Sequence, residues 1–241
     1  LKKLAENCTL DSWSRGKTIM LENDISLKGM KFEPIPSFGG TFDGNGFTIY
    51  GLDMAENISP AGLFGVIERG GVVKNLTVKG TVVLSENDTV GGGIIGRNNG
   101  TVQSCSIVGD ISGTDSAGGI AGVNEVSGLI SNCSFDGTIY GKKQIGGITG
   151  ENYGTVLNCV NSGKVNTTFS ESKITLDDMD ITDLGLILNR NIIDISDIGG
   201  IVGLSTGIIQ GCKNYGEIGY THVGYNVGGI VGRQSGYLSG C

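Results

Sequence analysis

The sequence predicts an all-β fold: a single-stranded parallel β-solenoid (β-helix) with an N-terminal cap. Three observations predict it. First, a phrase of Gly, Gly, a large aliphatic residue, any residue and Gly recurs, as Gly92-Gly93-Ile94-Ile95-Gly96, Gly118-Gly119-Ile120-Ala121-Gly122, Gly146-Gly147-Ile148-Thr149-Gly150, Gly199-Gly200-Ile201-Val202-Gly203 and Gly228-Gly229-Ile230-Val231-Gly232. A variant, Ala61-Gly62-Leu63-Phe64-Gly65, precedes them. The closing glycines, at 65, 96, 122, 150, 203 and 232, are 31, 26, 28, 53 and 29 residues apart, and four of those spacings suit stacked-repeat units. Second, apolar residues fall into columns when the repeats are aligned. Third, glycine makes up 44 of 241 residues and proline only 3, which points to regularly repeated tight turns.

In order along the chain, Leu1, Leu4 and Ala5 fit one face of a short helix, and Thr18 to Leu21 reads as a strand. Apolar stretches follow around Ile25 to Leu27 and Phe32 to Ile35. Asn45-Gly46, inside the run Gly40 to Ile49, is a turn signal because both residues tolerate positive φ. Residues 1–60 read as a cap plus first irregular coils, since a solenoid needs an atypical end to protect its open strand edge. Residues 61–241 read as the repeats. Column one contains Leu63, Ile94, Ile120, Ile148, Ile201 and Ile230. Past a glycine (71, 100, 128, 154, 207, 236), column two contains Val73, Val102, Ile130, Val156, Ile209 and Leu238. Column three is Leu76, Cys105, Cys133, Cys159, Cys212 and Cys241. After a further glycine (80, 109, 137, 163, 216), column four is Val82, Ile111, Ile139, Val165 and Ile218. Segments of three to six residues rich in β-branched types predict about three short strands per coil.

The formal charge of −7 and the pI near 4.7 argue against nucleic-acid and anionic-membrane partners. No apolar run reaches the ~20 residues of a membrane span. The abrupt ends at Leu1 and Cys241 read as those of a piece that continues into further chain.

The pattern GGIVG, a glycine turn, Asn-Cys, then glycine and Val or Ile resembles the GLUG-motif repeats of bacterial surface proteins. The upstream stretches GKTIMLENDISLKG, FEPI, GGTFDGNGFTIYGLDM and GLFGVIERGGVVKNLTVKG resemble segments that accompany such repeats. The resemblance covers roughly residues 16–241 apart from one insertion. It implies an extracellular location on a bacterial cell surface, and relatives that include adhesins and non-catalytic portions of IgA-cleaving metallopeptidases. It offers no catalytic residues. Phe32 stands where the family often has Trp, and the motif asparagine of Asn98, Asn124 and Asn152 gives way to Ser205 and Gln234.

Five of the six cysteines share a column with Leu76, so they read as small packing residues. Gly91-x-Gly93-x-x-Gly96 matches a dinucleotide fingerprint but lacks the helix that gives it meaning. His222, the single histidine, reads as a loop residue. Asn75, Asn132 and Asn166 head Asn-x-Ser/Thr triplets; with Asn158, the first two read as turn asparagines hydrogen-bonded along the solenoid rather than glycosylation sites. Asp110, Asp136 and Glu217 lie near equivalent turns without sharing one column. Tyr140, Tyr153, Tyr215, Tyr220 and Tyr225 could stack on sugars, but they are not in one column either. These readings give a non-enzymatic surface rod with no catalytic, cofactor-binding or metal residues; the alternatives are a carbohydrate-binding or carbohydrate-processing β-helix and an accessory region of a surface protease.

Most length variation falls at one corner. From column four to the next glycine pair takes 7 residues after Ile111 and Ile139, 10 after Val82 and Ile218, and 34 after Val165. The resulting insertion, about residues 166–198, holds seven acidic and two basic residues, 7 − 2 or a net −5 of the chain's −7. Leu184 to Ile195 reads as a hairpin around Asn189-Arg190-Asn191, and Asp177, Asp178, Asp180 and Asp183 could attract Ca²⁺ without matching an EF-hand loop. In stacked repeats such insertions gather on one face, often the binding face, so residues 166–198 read either as a folded flap that only covers the variable edge or as a recognition element for a host or glycan ligand.

Overall fold

The computed structural model describes residues 1–54, 58–83, 90–113, 115–166, 196–219 and 225–241. All its strand pairings are parallel and join one coil to the next, forming four sheets. Sheet 1 stacks Ile35–Phe38, Phe64–Ile67, Ile95–Asn98, Ala121–Asn124, Thr149–Asn152, Val202–Ser205 and Val231–Gln234. Sheet 2 runs from Thr18–Met20 through Thr41–Asp43, Val72–Lys74, Thr101–Gln103, Leu129–Ser131, Thr155–Leu157 and Ile208–Gln210 to Tyr237–Ser239. Sheet 3 includes Ile25–Ser26, Thr48–Asp53, Thr77–Val83, Ser106–Ser112, Ser134–Tyr140, Val160–Asn161, Lys164–Val165 and Lys213–Asn214. The chain is a parallel β-solenoid, as the repeat predicts.

The columns are real rungs. Val73, Val102, Ile130, Val156, Ile209 and Leu238 are consecutive partners, as are Val82, Ile111, Ile139, Val165 and Ile218. Ile94, Ile120, Ile148 and Ile201 each donate a backbone hydrogen bond to the equivalent residue of the following coil. Stacking at ~4.8 Å turns each column into a continuous apolar ridge, which no single coil could bury.

Three strands per coil is one too few. A fourth sheet joins Val90–Gly92, Ser116–Gly118, Lys143–Gly146, Ser196–Gly199 and Tyr225–Gly228. Each of its strands ends on the first glycine of the phrase. Glycine and alanine are poor strand formers in isolation, so pairing with neighbouring coils, not propensity, makes these residues strands.

The phrase's glycines serve close approach rather than positive φ. A Cβ on Gly118, Gly146, Gly199 or Gly228 would lie 2.0–2.2 Å from the carbonyl oxygen three residues on. One on Gly119, Gly147 or Gly200 would lie 2.1–2.3 Å from the carbonyl oxygen of the equivalent glycine in the next coil. The third glycine presses on sheet 4: Gly122 would meet Gly91 N at 2.6 Å. The same phrase recurs because three backbone contacts recur.

At the N terminus, helix α1 (Lys2–Asn7) buries Leu4 and packs on Ile35–Phe38. Ser37 N donates to Cys8 O at 3.1 Å and Gly39 N to Ser14 Oγ at 2.9 Å, so the cap satisfies the outer edge of sheet 1. Beneath it Phe38, Phe42 and Phe64 cluster with ring centroids 5.3–6.4 Å apart. The strands between Ile35 and Asp53 lie within the span read as cap and irregular coils. They pair rung for rung with the repeat apart from one slip beside Gly51. Asn45 and Gly46 have φ of 51° and 81°, the turn the sequence signalled.

Candidate functional site

The variable corner is where sheet 3 hands over to sheet 4. Most of its insertion, residues 167–195, lies outside the described residues, and with it the hairpin and the carboxylates of Asp177, Asp178, Asp180 and Asp183. His222 and Tyr220 also lie outside them. What the structure gives is the two points where the insertion leaves and rejoins the frame.

At the exit, Asn166 is buried with φ 49°. Its backbone N–H donates to Ile139 O at 2.8 Å, its Oδ1 accepts from Gly141 N at 2.9 Å, and its Nδ2 donates to Gly141 O at 2.9 Å. At the return, Asp197 has φ 60° and a side chain only 2% exposed. Its carboxylate accepts from Asn226 Nδ2 and from Arg233, both at 2.8 Å. Register places Gln144 and Asn226 beside Asp197 in neighbouring coils, each also at positive φ (42° and 54°). Asparagine and aspartate tolerate this left-handed geometry better than most residues. The first residue of the insertion and one next to its end are therefore two buried polar posts that tie it to the frame.

The other candidates fall at separate places. Asp110 and Asp136 are on the outer face of sheet 3, two positions apart across adjacent coils, and Glu217 pairs with Lys164 at 3.0 Å. They do not converge. Tyr215 is exposed, and Tyr140 is half-buried beside Ser112. Tyr153 is not a free platform: its hydroxyl donates to Glu151, which also accepts from Ser116 Oγ. That hydrogen bond, reinforced by burial, pushes the Tyr153 hydroxyl up to about 12. Beside it Arg97 holds Glu125 at 2.9 Å. This cluster on the outside of sheet 1 escaped the sequence reading. Its signal was charged or hydroxylated residues on either side of the motif asparagine: Arg97, Glu125, Glu151 and Tyr153. Each carboxylate in it already has a protein partner.

The column of thiols is interior. Cys105, Cys133, Cys159 and Cys212 are buried and unpaired, each Sγ donating to the carbonyl two residues back at 3.3–3.5 Å. Hydrogen bonding to neighbouring thiols and burial hold Cys105 and Cys159 well above the usual thiol range, so they stay protonated and unreactive at neutral pH. Gly93 and Gly96 are spoken for by close contacts between coils and Gly91 pairs with Ala61 and Ala117, with no helix following them. Among the described residues no group of three or more His, Cys, Asp or Glu could hold a metal ion. No helix there is long and apolar enough to cross a membrane.

The asparagines divide into two sets, and the expected one does not form the ladder. Asn98 Nδ2 donates to Asn124 Oδ1 and Asn124 Nδ2 to Asn152 Oδ1, both at 2.8 Å, and Asn152 Nδ2 reaches Ser205 Oγ at 3.1 Å. All four residues are fully buried. Asn75, Asn132 and Asn158 instead share an exposed corner, with φ of 55°, 53° and 52° and no hydrogen bonds between their side chains. Left-handed backbone, not axial bonding, selects asparagine there.

No family model matches the chain. It is 33% identical over 107 residues to halomucin of Haloquadratum walsbyi (strain DSM 16790 / HBSQ001), a match covering 41% of this chain but only 1% of that protein. Among solved structures, it superposes with a TM-score of 0.68 on a Bacteroides ovatus protein provisionally assigned as an immunoglobulin A1 protease. That alignment covers 97% of this chain and 71% of the other at 20% identity. At that identity the likeness extends to the fold alone.

Proposed function

We propose that this chain is a non-enzymatic segment of an extracellular, cell-surface protein, a rod whose frame is constant and whose one long insertion, residues 166–198, meets a host or glycan ligand. The observation that carries this reading is the anchoring of the insertion by buried Asn166 and Asp197 at the corner where coil length varies most. A frame that fixes both ends of a variable loop suits recognition. The GLUG-motif resemblance supports a surface role, as do the likeness to a protein named as a mucin and the solenoid shared with a protein provisionally assigned an immunoglobulin substrate. Replacing residues 170–196 by a short glycine-serine linker should abolish adhesion of cells displaying the full protein while leaving the melting temperature and β-sheet circular dichroism unchanged. Undiminished adhesion with a correctly folded variant rejects the recognition role.

The solenoid shared with the Bacteroides protein favours a second reading, a non-catalytic accessory region of a large surface protease. Immunoglobulin cleavage by the full-length protein that survives removal of these coils, but with weaker substrate binding, would favour it over the adhesive rod.

A further inference from the structure

The exposed corner between sheets 2 and 3 is a column of Asn75, Ser104, Asn132, Asn158 and Gly211, each at positive φ between 52° and 65°. Asn75, Ser104, Asn132 and Asn158 are exposed, while the next residue in each coil (Leu76, Cys105, Cys133 and Cys159) is buried. The corner asparagine side chains therefore stand off the frame with their backbone fixed. Asn75 Nδ2 donates one proton to Asp43 Oδ1 at 3.1 Å, and Asn132 makes no side-chain hydrogen bond among the described residues. Two residues on, Thr77 and Ser134 provide the hydroxyl of an Asn-x-Ser/Thr acceptor triplet, and both are half-buried on the outer face of sheet 3.

We propose that Asn75 and Asn132 are sites of N-linked glycosylation. The co-substrate is a polyprenyl-pyrophosphate-linked oligosaccharide, used by an asparagine oligosaccharyltransferase. The amide nitrogen Nδ2 attacks C1 of the first sugar. The N–C1 bond forms, the C1–O bond breaks, polyprenyl pyrophosphate leaves, and the displaced Nδ2 proton passes to a carboxylate of the transferase. Transfer onto the folded coil is open at this corner because both asparagines are exposed there. The two acceptors lie two rungs apart, ~10 Å along the axis, with small Ser104 between them.

The fold supplies its own controls. Asn158 has the geometry and exposure of Asn132 and is likewise followed by a buried cysteine, but Val160 stands where Asn132 has Ser134. Asn166 heads a triplet with Thr168, yet it is buried with both amide atoms bonded to Gly141, so a glycan there would unseat the post of the insertion. Asn7 and Asn99 head further triplets but are half-buried, and those at Asn57 and Asn87 lie outside the described residues.

The proposal rests on export of the chain, which protease shaving of intact cells measures separately. Peptide mapping of the full protein from its producing cells, after enzymatic deglycosylation in heavy-oxygen water, should place the label on Asn75 and Asn132 and leave Asn158 and Asn166 unlabelled. Ser134→Ala should remove the label from Asn132, and Val160→Ser, an outward half-buried position, should add one at Asn158. Export without label at either Asn75 or Asn132 overturns the proposal. Label on Asn166 overturns the claim that exposure in the folded corner selects the sites.

Discussion

In the coils that carry Ile107 and Phe135, the column under sheet 3 is hydrocarbon; one and two coils later the same column holds Asn161 and Asn214. In the earlier coils sheet 3 runs unbroken over seven residues, Ser106–Ser112 and Ser134–Tyr140. In the coil of Asn161 it is split into Val160–Asn161 and Lys164–Val165. The amide explains the split. Asn161 Oδ1 accepts from Gly163 N at 2.9 Å and Nδ2 donates to Gly163 O at 3.1 Å, closing a turn where the strand would have continued. It also donates to Asn214 Oδ1 at 2.7 Å, and Asn214 repeats the turn with Gly216. The difference teaches that the backbone ladders fix the frame, and that the column under sheet 3 accepts either hydrocarbon or an amide whose polar atoms are bonded.

Substitutions along this column test that lesson. Phe135→Ala should cost the most, about 3–5 kcal/mol, because the ring is fully buried and packs against Gly119 and Gly163. Chemical denaturation reads it. Gly119→Ala comes next, at about 3 kcal/mol, since its Cβ would lie 2.1 Å from Gly147 O and 2.5 Å from the Phe135 ring. A cost below about 0.5 kcal/mol at Gly119 would break the close-approach account. Asn161→Leu should still cost about 2 kcal/mol although it restores the apolar column, because Gly163 and Asn214 lose their partners. A neutral result would make the amide column mere filling.

The smallest effect belongs to Tyr153. Its hydroxyl pKa, raised to about 12 from an ordinary 10, means that its contribution to stability is complete below pH 10 and is lost as pH rises through about 12. A spectrophotometric alkaline titration, differenced against Tyr153→Phe, should show one tyrosine ionising near pH 12, and Glu151→Gln should bring that transition down.

Much of this frame was legible because the aliphatic columns and the glycine phrase recur at fixed offsets. The fourth sheet was not, because strands such as Ser116–Gly118 have almost no side chain with which to announce themselves. The column from Ile107 to Asn214 was missed because it changes chemistry midway, and periodicity searches for like residues. Asn98, Asn124 and Asn152 were visible as a motif, but an amide in sequence looks the same whether it faces water or another amide. The corner of variable length was legible by counting. Its posts, Asn166 and Asp197, were not, since their burial depends on partners 25 and 29 residues away in Gly141 and Asn226.

The parallel pairing of all four sheets also has a mechanical consequence. Interstrand bonds lie along the rod, so tension between its ends loads them lengthwise and opens coils singly, like a zip, instead of shearing many rows together. Each ordinary coil of 26–31 residues would release roughly 90–105 Å of chain, and the coil with the insertion, 53 residues long, roughly 180 Å. Stretched in an optical trap, the rod should yield in even steps with one step nearly twice as long. That long step would mark, in extension rather than in sequence, where the insertion sits.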